Sequence, residues 1–138
     1  MSVVLAAEHL TKTFVSQGRE NYTAVDDVSF SVESGEKLGI IGESGSGKTT
    51  VIRSILGLLP SGGKVTKGDI LFEGESLLQY SKKQWRELRG TQISMIFQDP
   101  MTSLDPTMTI GRQLTEGMRY HLHLSQADAD KRAEELLE

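Results

Sequence analysis

Cysteine is absent from these 138 residues. That excludes disulfides and thiolate metal sites, and it fits a reducing compartment. No apolar run reaches the ~18 residues of a membrane-spanning helix, and the polar N-terminus does not read as a signal peptide. An excess of positive charge is missing as well. Fifteen Lys and Arg face 19 Asp and Glu, for a net charge of −4. That balance argues against a nucleic-acid partner held by bulk electrostatics, and it leaves a local positive site open. There is no internal repeat and no low-complexity linker. What remains is 37% hydrophobic and 25% charged, a soluble globular composition whose length suggests one domain.

Short strands alternate with helices along the chain. "VVLAAEHLTKTF" (Val3 to Phe14) and "VSFSV" (Val28 to Val32) read as strands, with the polar loop "VSQGRENY" between them. "ESGEK" is a turn, and "LGIIG" (Leu38 to Gly42) reads as a strand buried on both faces. Val51, Ile52, Ile55, Leu56 and Leu59 then recur at helical spacing, and Pro60 stops that helix. "GDILFEG" (Gly68 to Gly74) reads as a strand. Ser81 with Gln84 forms a capping box for a helix whose inner face carries Trp85 and Leu88 and whose C-cap is Gly90. "ISMIF" (Ile93 to Phe97) reads as a second buried strand, followed by a loop with two prolines. Ile110, Leu114 and Met118 lie along one helical face. Ser125 with Asp128 opens a last helix bearing Ala129, Ala133, Leu136 and Leu137. That helix has a start signal and no stop signal. A frayed terminal helix and a chain cut inside a larger domain are both compatible with this pattern.

"GESGSGKT", Gly42 to Thr49, matches G-x-x-x-x-G-K-[ST]. A chain of this length matches by accident roughly one time in a hundred or less. Position sharpens the signal, because the loop follows an expected buried strand and opens an amphipathic helix. A triphosphate is a dense anion. Free N–H groups and the positive end of the helix dipole attract it, and glycines let successive amides point inward as a nest. Gly42, Glu43, Ser44, Gly45, Ser46, Gly47, Lys48, Thr49 and Thr50 are therefore the candidate phosphate-binding residues. Lys48 reaches the β- and γ-phosphates, and the Thr49 hydroxyl is a candidate Mg²⁺ ligand. The alternative is a flexible Gly/Ser loop with a solvated lysine. "PSGGK" (Pro60 to Lys64) has the residues of a second such loop but lacks a preceding strand and reads as a turn.

Beyond this loop the sequence resembles the ATP-binding subunits of ABC transporters. "LTKTF" followed by "AVDDVSFSVESGEKLGIIGESGSGKTT", then "GDILFEGESL" and "ISMIFQDPMTSLDPTMTIGRQLTE", carry the resemblance over nearly the whole chain. The wording "QDPMTSLDP" is nearest the dipeptide, oligopeptide and nickel importers. The fold so implied is α/β, a P-loop NTPase core with an antiparallel β-subdomain, truncated at the start of the helical subdomain. Residues 1–100 would be the N-terminal part of the ATP-binding core, and 101–138 the beginning of an incomplete helical subdomain.

The resemblance also implies roles. Phe14 stands where the family places an aromatic that stacks on adenine, with Tyr22 as the rival ring. Gln98 matches the Q-loop glutamine, which would join Thr49 on Mg²⁺ and help position the attacking water. Lys48 and Gln98 would assist hydrolysis, and no catalytic base is found in this chain. The family's signature motif, its Walker B aspartate with the catalytic glutamate, and its switch histidine do not occur in these residues. His9, His121 and His123 come too early for that histidine, and they read as solvated or half-buried. The resemblance thus favours a truncation over a frayed end.

The function implied is that of an ATPase subunit of a peptide- or nickel-type importer, using ATP and Mg²⁺. Its partners would be membrane permease subunits, docking after Gln98, and a second ATP-binding subunit. It would lie in the cytoplasm on the inner face of the cell membrane. A soluble ABC-type ATPase of assembly or repair, as in phosphonate degradation, and a module that binds nucleotide without turnover are the competing classes.

Overall fold

A computed structural model describes residues 2–15, 18, 20–60 and 64–138. Its main sheet is built from β1 (Val3–Phe14), β2 (Tyr22–Glu33), β3 (Lys67–Phe72) and β4 (Glu75–Ser76), in the order β2-β1-β3-β4. All three pairings are antiparallel. β1 lies in the middle, laddered on both edges, and it spans the residues expected from the pattern. β2 runs farther than the alternating run Val28 to Val32, because its first residues pair with the end of β1: Thr13 with Thr23 and Phe14 with Tyr22. β3 and β4 are joined by Glu73 and Gly74, both left-handed, the geometry of a tight hairpin turn. Of the polar loop before β2, Ser16, Gln17 and Arg19 lie outside the described residues, as do 61–63 of the turn expected at Pro60 to Lys64.

α1 (Lys48–Ile55) packs on β2. Val51, Ile55, Leu56 and Leu59 join Ala7, Leu10, Val25, Ile70, Phe72 and Leu77 in one buried apolar set. Removing side chains such as Leu10 and Ile70 from water stabilises the fold by roughly 1.5–3 kcal/mol each. The helix does not run to Pro60. Gly57 adopts φ +63, and the amides of Gly57 and Leu58 turn back to the carbonyls of Ser54 and Arg53, which closes the helix three residues before the proline. A short 3-10 turn at Leu77–Gln79 leads to α2 (Lys82–Leu88). The capping box of α2 is complete: the Gln84 amide donates to the Ser81 hydroxyl, and the Ser81 amide donates to the Gln84 side chain.

The chain divides into two compact units, Met1–Trp85 and Arg86–Glu138. In the second, α3 (Ile110–Leu122) packs on α4 (Gln126–Leu137). Of the face that carries Ile110, Leu114 and Met118, only Met118 is half-buried. Thr115 is buried, while Ile110 and Leu114 are exposed. α4 presents the small residues Ala129 and Ala133, so the helices meet over a small side chain whose hydroxyl is satisfied by the Gly111 carbonyl at 2.9 Å. Ser125 caps α4 as expected, accepting from the Asp128 amide.

Two expected strands do not form. "LGIIG" is irregular, and "ISMIF" contributes only an isolated bridge from Ile93 to Arg89. A strand of a parallel sheet needs hydrogen-bonded neighbours along its length, and among the described residues neither run joins the sheet. Ile41 is therefore 97% exposed and Ile96 99% exposed. Apolar runs with open backbone favour association. The 138-residue chain is expected to gain apparent mass with concentration in light scattering, and a monodisperse monomer over a wide concentration range would contradict that.

Candidate functional site

The loop Gly42–Gly47 and the first turn of α1 form one continuous structure. A turn closes on the Ser46 amide, which donates to the Glu43 carbonyl at 3.2 Å. Gly45 and Gly47 take φ values of +81° and +94°, which L side chains rarely adopt, and so the backbone curls before the helix starts. The interior of the curl is tight. A Cβ on Gly42 would lie 2.7 Å from the Ser46 hydroxyl oxygen.

Gly47 is the N-cap of α1, and it makes no side-chain cap bond. No acidic residue stands in the first turn. The positive end of the helix is therefore left without a carboxylate from its own sequence, which suits an external anion. Lys48 is the first helical residue. Its ammonium reaches back over the loop to the carbonyls of Gly42, at 2.7 Å, and Glu43, and to the Ser46 hydroxyl, at 3.2 Å. The charge thus sits at the mouth of the curl, and the curl with this lysine fits a polyphosphate. Thr49 is exposed and Thr50 half-buried one position on.

The loop is seated by β2. Pairing between β1 and β2 steps from Lys12–Val25 to Thr13–Thr23 and skips Ala24. The bulge turns the Ala24 carbonyl against Gly47, so close that a Cβ there would lie 2.2 Å from the oxygen. Tyr22, at the start of β2, stands two residues before Ala24, about 7 Å at strand rise, with Phe14 of β1 as its cross-strand partner. The sheet therefore puts the glycine loop and both candidate rings at the same end of β2. Phe14 is half-buried; Tyr22 is 58% exposed.

Sequence reasoning did not single out two groups found here. The Ala24 carbonyl has no sequence signal. Lys12 had one: it stands two residues before Phe14, and side chains two apart on a strand share a face. It is only 6% exposed, and its ammonium lies 4.8 Å from the centroid of the Phe14 ring.

Gln98 belongs to the other unit and is exposed. Asp99 follows it and caps a 3-10 turn at Pro100–Thr102, accepting from the Met101 amide at 2.9 Å. Farther on, Asp105 accepts from the hydroxyl and amide of Thr107, which together hold its carboxyl below the usual carboxylate range. Gln113 of α3 donates to the carbonyls of Asp105 and Met108. These bonds order the loop after Gln98. Of the histidines, His9 is exposed and bonds Asp27 at 2.7 Å, His121 is half-buried and His123 exposed. Among the described residues no helix is long and apolar enough to cross a membrane.

Comparison with known proteins follows the same line. The ABC transporter family profile matches residues 25–138. The dipeptide transport ATP-binding protein DppD of Lactococcus lactis is 47% identical over 116 residues, 83% of this chain and 33% of its own length. The oligopeptide transport ATP-binding protein AppD of Bacillus subtilis is 43% identical over 139 residues, 100% of this chain and 42% of its own length. The chain thus spans between a third and about two-fifths of these relatives. Among solved structures, a bacterial ABC transporter cassette determined as a dimer superposes with a TM-score of 0.80 at 26% identity, covering 95% of this chain and 54% of that one. A cassette in a post-hydrolysis state with ADP and Pi superposes with a TM-score of 0.75 at 24% identity, with the same coverage, and shares the fold.

Proposed function

Because this chain belongs to the ABC transporter family, we propose that it is part of the ATP-binding subunit of an importer for peptide-type solutes, in which ATP binding and hydrolysis drive uptake. The observation that carries the reading is the Gly42–Gly47 curl, with Lys48 over its mouth and no carboxylate at the start of α1. The solute class rests on relatives whose names give dipeptide and oligopeptide transport.

Residues 42–50 bind the phosphates through backbone amides and Lys48. Thr49 would offer a hydroxyl oxygen and Gln98 an amide oxygen to Mg²⁺, hard donors that suit that cation, and Gln98 would help position the attacking water. Bound Mg²⁺ would neutralise charge on the phosphate oxygens. Transfer of a phosphoryl group to water asks mainly for positioning and charge stabilisation, which this loop is shaped to give. Residues 1–100 act as the N-terminal part of the ATP-binding core and 101–138 as the beginning of the helical subdomain. The loop after Gln98 faces permease subunits, and a second ATP-binding subunit completes the active assembly at the inner face of the membrane.

Phe14 stacks on adenine. Phe14→Ala is expected to weaken ATP and ADP alike by roughly 1–3 kcal/mol in calorimetric titration, the range of aromatic–base stacking. If Tyr22→Ala carries the loss and Phe14→Ala does not, the other ring is the adenine platform. Absence of any ATP binding by the unsubstituted chain would contradict the proposed function itself.

A further inference from the structure

A buried lysine normally pairs with a carboxylate. Lys12 has other partners. Its ammonium donates to the Lys64 carbonyl at 2.7 Å and lies over the Phe14 ring. The surrounding backbone is fixed on both sides. The Thr66 amide donates to the Thr11 carbonyl at 2.8 Å, and the Thr13 amide donates to the Thr66 hydroxyl at 2.9 Å. On the other edge, Lys12, Thr13 and Phe14 pair with β2. The ammonium is thus held beside a hydrogen-bonded frame, and the ring at the very end of β1 lies against the ammonium.

We propose that Lys12 is a positioning residue for nucleotide binding: its cation clasps one face of Phe14 and presents the other face to the adenine base. This rests on the reading of Phe14 as the adenine platform. Two physical effects follow. A ring at a strand end samples several rotamers, and fixing it beforehand removes an ordering cost from binding. A cation on one face also draws π-density toward itself. The opposite face becomes less negative and stacks with less repulsion against the electron-rich face of a purine. Lys12 touches neither phosphate nor base in this arrangement; it acts through the ring.

The chain would be titrated with ADP and, as a base-free probe, with inorganic tripolyphosphate. Lys12→Met, which keeps the buried stem and removes the charge, is expected to weaken ADP about fivefold, the size of one cation–π contact. Tripolyphosphate affinity should not move. Lys12→Arg, which restores a cation, should recover most of the ADP affinity. In a Phe14→Leu background, Lys12→Met should have no further effect. Equal losses for ADP and tripolyphosphate would overturn the inference, since a general structural defect, misfolding included, weakens both. So would unchanged ADP binding in Lys12→Met, or the same fivefold loss with Phe14 already removed. Phe14→Leu that leaves ADP binding intact would instead overturn the platform reading on which the inference rests.

Discussion

Lys48→Ala is expected to lose about 3 kcal/mol of ATP affinity, roughly 150-fold, while the fold keeps its stability. The two halves of that expectation come from one side chain in two settings. Without nucleotide, the ammonium bonds the carbonyls of Gly42 and Glu43 and the Ser46 hydroxyl on an exposed loop. Exposed bonds of this kind exchange with water at little cost, so their loss should move stability by less than about 1 kcal/mol. With nucleotide, the same charge meets phosphate oxygens in charge-assisted bonds, which are roughly twice as strong as neutral ones. Denaturant unfolding and calorimetric titration of both proteins separate the two quantities. Equal ATP affinities would remove Lys48 from the site. A large loss of stability would mean that the lysine holds the loop rather than the ligand.

Gly47→Ala should damage both fold and binding, and Gly45→Ala should damage far less. Both glycines have positive φ, so either alanine incurs roughly 1–2 kcal/mol of left-handed strain. The difference is space. A Cβ on Gly45 meets nothing within 4 Å, whereas a Cβ on Gly47 lies 2.2 Å from the Ala24 carbonyl oxygen. That atom belongs to the backbone of β2 and cannot swing away. Either the loop lifts off the strand or the bulge at Ala24 is lost. We expect Gly47→Ala to cost about 3–5 kcal/mol in urea unfolding and to reduce nucleotide affinity in the folded fraction. Comparable losses for the two variants would show that the approach to Ala24 is not what seats the loop.

The sequence carried the parts of this fold that depend on local chemistry. β1 was legible end to end because its apolar pattern is answered by a partner on each edge. The capping residues Ser81 and Ser125 sit where their spacing places them, since a cap is decided within four residues. The curl of the glycine loop was legible because G-x-x-x-x-G-K-[ST] encodes its own backbone geometry. "LGIIG" and "ISMIF" were misread for the opposite reason: composition marks them as strands, but a strand exists only with neighbours. The buried position of α3, Thr115, was not legible, because hydrophobic spacing could not report that α4 offers only Ala129 and Ala133. At the site, Lys12 was visible as a strand neighbour of Phe14, yet a lysine is read by default as solvated. The Ala24 carbonyl was beyond reach, because bulges leave little mark in a single sequence.

The central claim is that the curl at 42–47 and the start of α1 bind the phosphates of a nucleotide. Its most direct test is titration of the ¹⁵N-labelled chain with ADP and Mg²⁺, following each backbone amide. We predict that the amides of Gly45, Ser46, Gly47, Lys48 and Thr49 shift together along one saturating curve, and that Lys48→Ala displaces that curve to much higher ligand concentration. Shifts absent from these five amides at saturating ADP, or unchanged by Lys48→Ala, would contradict the account.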